Sequence, residues 1–248
     1  MTWREEQIGD CRLICADCRD VLPTLGRVDA VVTDPPYGIG FKYQSHIDDR
    51  QNYPQFIWPI IEEAEGLVEP GGPIFVWQAQ QWMPHFAELF PRKWRVFIAA
   101  KNFVQMRHTA MQYAYEPVVV WWKDGGKPWR SPNGSRYANR DWFVANSAST
   151  VSDTKGLARQ HPCPRQPDVC DFIISNWIQP DGIVLDPFMG SAAIGASCVR
   201  LDRKFIGIEI EPRYFDIACR RIEEAYQQPR LFSEPQAQPK QAALFWEG

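Results

Sequence analysis

No run of apolar residues in this chain approaches the roughly 20 that a membrane-spanning helix requires. The first ten residues, MTWREEQIGD, are polar and acidic, so a secretory leader is not expected. Evenly paired cysteines are lacking too. Seven cysteines, at positions 11, 15, 18, 163, 170, 198 and 219, argue against a disulfide framework and are expected to be free thiols. Cys11, Cys15 and Cys18 fall on an apolar run and its turn rather than on two CxxC knuckles, so no metal is expected. There is no Gly-Lys-Ser/Thr phosphate loop. The 248 residues, 45% of them hydrophobic, can bury one α/β core plus a small insertion. A cytoplasmic enzyme is the expectation.

Two motifs carry chemistry. In the first, the apolar run Val28 to Val32 leads into Asp34-Pro35-Pro36-Tyr37 and then a Gly-rich turn, Gly38-Ile39-Gly40. Two prolines fix two φ angles and remove two N–H donors, so this stiff backbone offers carbonyl acceptors. With the Asp34 carboxylate and the flat Tyr37 ring beside them, the group can accept from an exocyclic amino group while stacking on the ring that bears it. The plain structural alternative is a proline-terminated strand under a packed tyrosine.

The second motif is Ile183 to Gly190, IVLDPFMG, an apolar run ending in an acid and a turn, followed by the small, helix-compatible stretch Ser191 to Arg200. Glu209, nineteen residues after Gly190, lies near the end of a second buried-type run, KFIGIEI. In a doubly wound sheet an acid at that spacing reaches ribose hydroxyls. The glycine pattern is incomplete for a dinucleotide, so a nucleoside without a pyrophosphate fits better.

These residues resemble the amino-group DNA methyltransferases, which transfer the methyl of S-adenosylmethionine to N6 of adenine or N4 of cytosine. Asp34, Pro35, Pro36 and Tyr37 are similar to their catalytic motif, and Asp186, Pro187, Phe188, Gly190 and Ser191 to their cofactor loop. The order, catalytic motif first and cofactor motif last, resembles the permuted β class. His161 to Pro167 resembles the HPTQKP segment that precedes the cofactor strand, and Asp17 matches an acid that accepts from the cofactor's adenine amino group. An ordinary Asx turn is the alternative for Asp17. One departure stands out: Ser191 is followed by Ala192-Ala193-Ile194-Gly195, where the family usually has Gly-Thr-Thr-Gly or similar. The resemblance implies adenine as the target, because an initial Asp usually goes with adenine and an initial Ser with cytosine. It further implies double-stranded DNA as partner, base flipping and direct in-line attack. N4-cytosine transfer, transfer to RNA or a protein amide, and an inactive nucleic-acid-binding scaffold are the alternatives.

Net charge is −3, but its distribution is uneven. From Trp121 to Arg165 eight basic residues stand against three acidic ones, a net of +5, which leaves −8 for the remainder. Trp129, Tyr137, Trp142 and Phe143 are interleaved among those charges. This stretch is expected to face DNA, with Lys123, Lys127, Arg130, Arg136 and Arg140 contacting phosphates; a solvated loop is the alternative.

Alternating strand-like and helical runs imply an α/β fold, a Rossmann-like, doubly wound, mostly parallel sheet of the class I methyltransferase kind with a small irregular target-recognition insertion. Strands are expected at Arg12 to Cys15, Val28 to Val32, Ile74 to Trp77, Val96 to Ala99, Val118 to Trp122, Ile183 to Leu185 and Lys204 to Ile210. Helices are expected at Phe56 to Val68, Gln81 to Phe90, Asp168 to Trp177 and Arg213 to Tyr226. The expected divisions are a catalytic half at 1–120, the insertion at 121–160, the cofactor half at 161–226 and a flexible tail at 227–248. That Gln- and Pro-rich tail repeats Gln-x-x-Leu-Phe, at Gln228-Pro229-Arg230-Leu231-Phe232 and Gln241-Ala242-Ala243-Leu244-Phe245. The repeat resembles the pentapeptide by which bacterial replication proteins dock on the sliding clamp, and a tail folded back or mediating a homodimer is the alternative.

Overall fold

A computed structural model of the chain describes residues 3–38, 53–85, 93–101, 114–125, 140–145 and 167–228. They form a nine-stranded sheet in the order β1-β2-β9-β8-β3-β4-β6-β5-β7. The strands are β1 (Arg4–Ile8), β2 (Cys11–Cys15), β3 (Ala30–Thr33), β4 (Pro73–Trp77), β5 (Arg95–Lys101), β6 (Tyr115–Trp122), β7 (Trp142–Ala145), β8 (Ile183–Asp186) and β9 (Lys204–Glu209). The central five, β2, β9, β8, β3 and β4, are mutually parallel. β1 and β6 run antiparallel to their neighbours.

The strand runs are almost continuously apolar because both faces are covered. Ala30, Val32, Phe75, Trp77, Val184 and Phe205 turn to one core, while Val31, Ile74, Val76, Leu185 and Ile208 turn to the other. Helix α1 (Cys18–Val21) and helix α2 (Tyr53–Leu67) pack in the second core. Helices α3 (Pro167–Trp177), α4 (Ala193–Arg200) and α5 (Pro212–Gln227) pack in the first. The chain leaves β3 toward α2 and β4 in one direction, and leaves β8 toward α4 and β9 in the other. The crevice between the carboxyl ends of β3 and β8 is therefore the topological switch point, where open α/β sheets bind ligands.

All seven expected strands and three of the four expected helices are present, within a few residues at each end. Of Gln81 to Phe90, the described part is a short 3-10 turn, Gln80–Trp82, continued by helical residues 83–85. Two strands were not expected. β1 is exposed from Arg4 to Gln7, and its ladder with β2 carries the Glu5–Arg12 ion pair at 2.7 Å. β7 adds one regular element to the expected irregular insertion: Trp142 to Ala145, aromatic and β-branched in character, lies parallel to β5 and extends the sheet. Cys11 and Cys18 belong to opposite cores. Burial pushes both thiols up to about 12, so they pack as small apolar groups. No helix among the described residues is long and apolar enough to cross a membrane.

Candidate active site

The carboxyl edge of the parallel strands brings the two motifs together. Asp34 to Tyr37 follow directly on β3, with Pro35 buried and Asp34, Pro36 and Tyr37 partly so. The Tyr37 hydroxyl donates to Oδ1 of Asp34, closing the tetrapeptide on itself. On the neighbouring strand Asp186 ends β8 with only 1% of its surface exposed. Its Oδ1 accepts from the Thr33 hydroxyl at 2.6 Å and from the Phe188 N–H at 3.1 Å.

The loop after Asp186 is built against Glu209. Gly190, at φ 54°, aims its N–H at Glu209 Oε2 over 2.9 Å, and the other carboxylate oxygen accepts from the Glu211 N–H at 2.8 Å. Met189 N–H donates to the Ile208 carbonyl at 2.9 Å, which fastens the loop to β9. The Ser191 carbonyl and hydroxyl accept from the buried guanidinium of Arg221, each at 3.3 Å. Ala192 caps α4 at φ 55°, ψ 44°. A left-handed alanine costs about 1–2 kcal/mol, so the departure from the family's glycine falls where glycine would be unstrained.

Burial raises both acids. It pushes Asp186 up to about 7, against the lowering effect of its bonds from Thr33 and Phe188, with nearby Asp34 and Glu209 raising it further. Burial likewise pushes Glu209 up to about 7, opposed by its backbone N–H donors. Three carboxyl groups thus share one edge. Asp17 joins them, because the Ala16 N–H donates to the Glu209 carbonyl at 3.0 Å and so ties the end of β2 to the end of β9. Asp17 is the N-cap of α1, accepting from the Arg19 N–H at 3.0 Å. The Arg19 guanidinium bonded to it holds its carboxyl below the usual range. The Asx-turn geometry and the edge position coexist.

Of the expected phosphate contacts, Lys123 sits on the opposite edge of the sheet from the motifs. β6 runs antiparallel to β4, with Trp122 opposite Pro73, so Lys123 lies at the amino ends of the parallel strands, away from Asp34. There its ammonium donates to the Gly66 carbonyl near the end of α2 at 3.0 Å. Arg140 lies over the Trp142 ring at 4.6 Å and the Phe172 ring at 5.4 Å, a cation–π stack at the β7 edge. Lys127, Arg130 and Arg136 lie outside the described residues, as do His161 to Gln166 and the tail from Pro229 onward, which carries both Leu-Phe pairs.

Thr33, Tyr53, Gln78, Trp82 and Arg221 were not anticipated from the sequence. Thr33 gave one local signal, a hydroxyl at the end of an apolar strand beside Asp34. Tyr53, Trp82 and Arg221 contact the motifs across the sequence, and Gln78 reaches them through Tyr53.

A family described as DNA methylase matches residues 28–220. This chain belongs to it. Similar curated members include the type II methyltransferase M.BglII of Bacillus subtilis, 29% identical over 231 residues that cover 77% of this chain and 62% of that protein. The DNA adenine methyltransferase YhdJ of Escherichia coli is 25% identical, covering 80% of this chain and 77% of that one. Among solved structures, M1.HpyAVI in complex with SAM superposes with a TM-score of 0.65 at 26% identity, covering 86% of this chain and 99% of that one. The chain spans a little under two thirds of the length of M.BglII.

Proposed function

We propose that this protein transfers a methyl group from S-adenosylmethionine to N6 of adenine in a specific double-stranded DNA sequence. The observation that carries this is the meeting of Asp34, bonded by Tyr37, with Asp186 and Glu209 at the switch point between β3 and β8. The residues suit the cofactor. Each Glu209 oxygen accepts one backbone N–H and keeps a second lone-pair direction for a ribose hydroxyl. Asp17 offers an acceptor for the adenine amino group, and the loop through Pro187, Phe188, Gly190 and Ser191 would border the rest. When bound, S-adenosylmethionine supplies an electrophilic methyl on its sulfonium.

The chain's own residues act on the target amine. That nitrogen is a poor nucleophile because its lone pair is delocalised into the base. Asp34 and the Pro35 carbonyl accept its two N–H bonds and favour a more pyramidal nitrogen. A carboxylate can accept about four hydrogen bonds, so Asp34 can hold the Tyr37 hydroxyl and the amine together. Positive charge grows on the nitrogen during attack, and fixed acceptors then bind the transition state more strongly than the ground state. The target base must leave the duplex, and Tyr37 stacks on it in place of its lost neighbours. Adenine is favoured by the initial Asp of the motif and by the name of YhdJ. Lys127, Arg130, Arg136 and Arg140 are kept as proposed phosphate contacts.

The test is methyl transfer from labelled S-adenosylmethionine to unmethylated genomic DNA, followed by nucleoside mass spectrometry. N6-methyladenine is expected. N4-methylcytosine would keep the mechanism and overturn the base, and no DNA product despite cofactor binding would overturn the function and move it to RNA or a protein amide.

A further inference from the structure

The turn bearing Asp34 to Tyr37 is stiff at its start and looser at its end. Pro35 and Pro36 fix their φ angles, whereas the Tyr37–Gly38 peptide has no ring to hold it and Gly38 sits at φ +60°. Two aromatic side chains close on that looser end. The Trp82 indole Nε1–H donates to the Tyr37 carbonyl over 2.6 Å. Trp82 in turn stacks on Tyr53, with ring centroids 5.1 Å apart and planes inclined by 29°. Tyr53 packs so closely on Gly38 that a Cβ there would lie 2.5 Å from its own.

The platform is itself fastened. The Tyr53 hydroxyl donates to Gln78 Oε1 at 2.8 Å, and the Gln78 N–H donates to the Pro117 carbonyl at 3.0 Å. Gln80 Nε2 reaches the Tyr115 carbonyl at 3.3 Å, so the short turn carrying Trp82 is tied to β6.

We propose that Trp82 is a positioning residue for methyl transfer: by holding the Tyr37 peptide it fixes the Tyr37 ring, and the Asp34 carboxylate bonded to that ring, in register for the target base. This rests on the proposed transfer at Asp34. The stacking ring and the acceptor must be right together, and a displacement of about 1 Å near the chemistry costs roughly a hundredfold in rate. Trp82 makes no contact with Asp186, Gly190 or Glu209 among the bonds of the cofactor loop, so its loss acts on only one side of the reaction.

The experiment compares Trp82→Phe and Tyr53→Phe in the full chain. Trp82→Phe keeps a ring on Tyr53 and removes the N–H donor. The single-turnover methylation rate is expected to fall about tenfold, with kcat falling more than KM for DNA rises. The dissociation constant for S-adenosylmethionine should stay within about twofold of wild type. Amide exchange at residues 34–38 should rise without a rise at 183–190. Tyr53→Phe, which leaves the indole bond in place, should lose less rate. A Trp82→Phe enzyme with wild-type single-turnover rate, or exchange raised evenly across the sheet, would overturn the proposal. Failure of wild-type protein to methylate DNA would sink the proposed function instead. Exchange at 34–38 then decides the role of Trp82 alone, and an unchanged rate of exchange there overturns it.

Discussion

The hydroxyl of Thr33 donates to Oδ1 of Asp186 over 2.6 Å, joining the last residue of β3 to the last residue of β8. Both groups are buried, and the bond directly links the proposed catalytic motif, which begins at the next residue, to the proposed cofactor loop, which begins at Asp186. Thr33→Val keeps the shape and removes the donor. A buried acceptor that loses its partner costs about 1–3 kcal/mol, so chemical denaturation should show a loss in that range. Stability equal to wild type would mean that Asp186 draws little from Thr33.

Asp186 and Glu209 make the unliganded protein sensitive to pH in an unusual direction. Both are raised to about 7 by burial, above the values near 4 that carboxyls have in unfolded chains. The folded state therefore binds protons more tightly than the unfolded one, and the stabilisation present below about pH 4 is lost as pH rises toward 7. Thermal unfolding without cofactor should occur at lower temperature at pH 7.5 than at pH 5.5. Asp186→Asn and Glu209→Gln should each flatten that slope. A midpoint that climbs through this interval in wild type, or an unchanged slope in both variants, would contradict the assignment.

Much of the sheet could be read from the sequence because its central strands are buried on both faces, which writes each of them as a short apolar run. β1 could not, since Arg4 to Ile8 buries almost nothing and is held by a main-chain ladder and by Arg12. The motifs at Asp34 and Asp186 were legible because each is contiguous. Their connection was not: Thr33 and Asp186 are 153 residues apart, and Trp82 and Tyr37 are 45 apart. Lys123 illustrates what a charge count leaves out. Charge counts report how many cations a segment holds but not which edge of the sheet they reach.

The role of Lys123 is testable. Lys123 sits at the amino edge, bonded to the Gly66 carbonyl, so Lys123→Ala should leave affinity for duplex DNA within about twofold of wild type. Removing a genuine phosphate contact would instead weaken binding and lower the salt dependence by roughly one unit of slope. Titrations of DNA at several salt concentrations distinguish the two, and a lowered slope for Lys123→Ala would return it to the interface.

The bond from the Tyr37 hydroxyl to Asp34 separates two jobs of the tyrosine. Tyr37→Phe keeps the ring proposed to stack on the extruded base and removes only the bond orienting the carboxylate, whereas Tyr37→Ala removes both. Base–aromatic stacking is worth about 1–3 kcal/mol. Tyr37→Ala should therefore lose DNA affinity and rate together, and Tyr37→Phe should lose rate with affinity largely kept. Asp34→Ala should abolish turnover while cofactor binding survives, because Asp34 takes no part in the bonds that join Gly190 to Glu209. Single-turnover kinetics alongside calorimetric titration of S-adenosylmethionine would resolve these effects. Strong activity in Asp34→Ala would sink the mechanism, since no other carboxylate in the tetrapeptide can take the proton-bearing side of the amine.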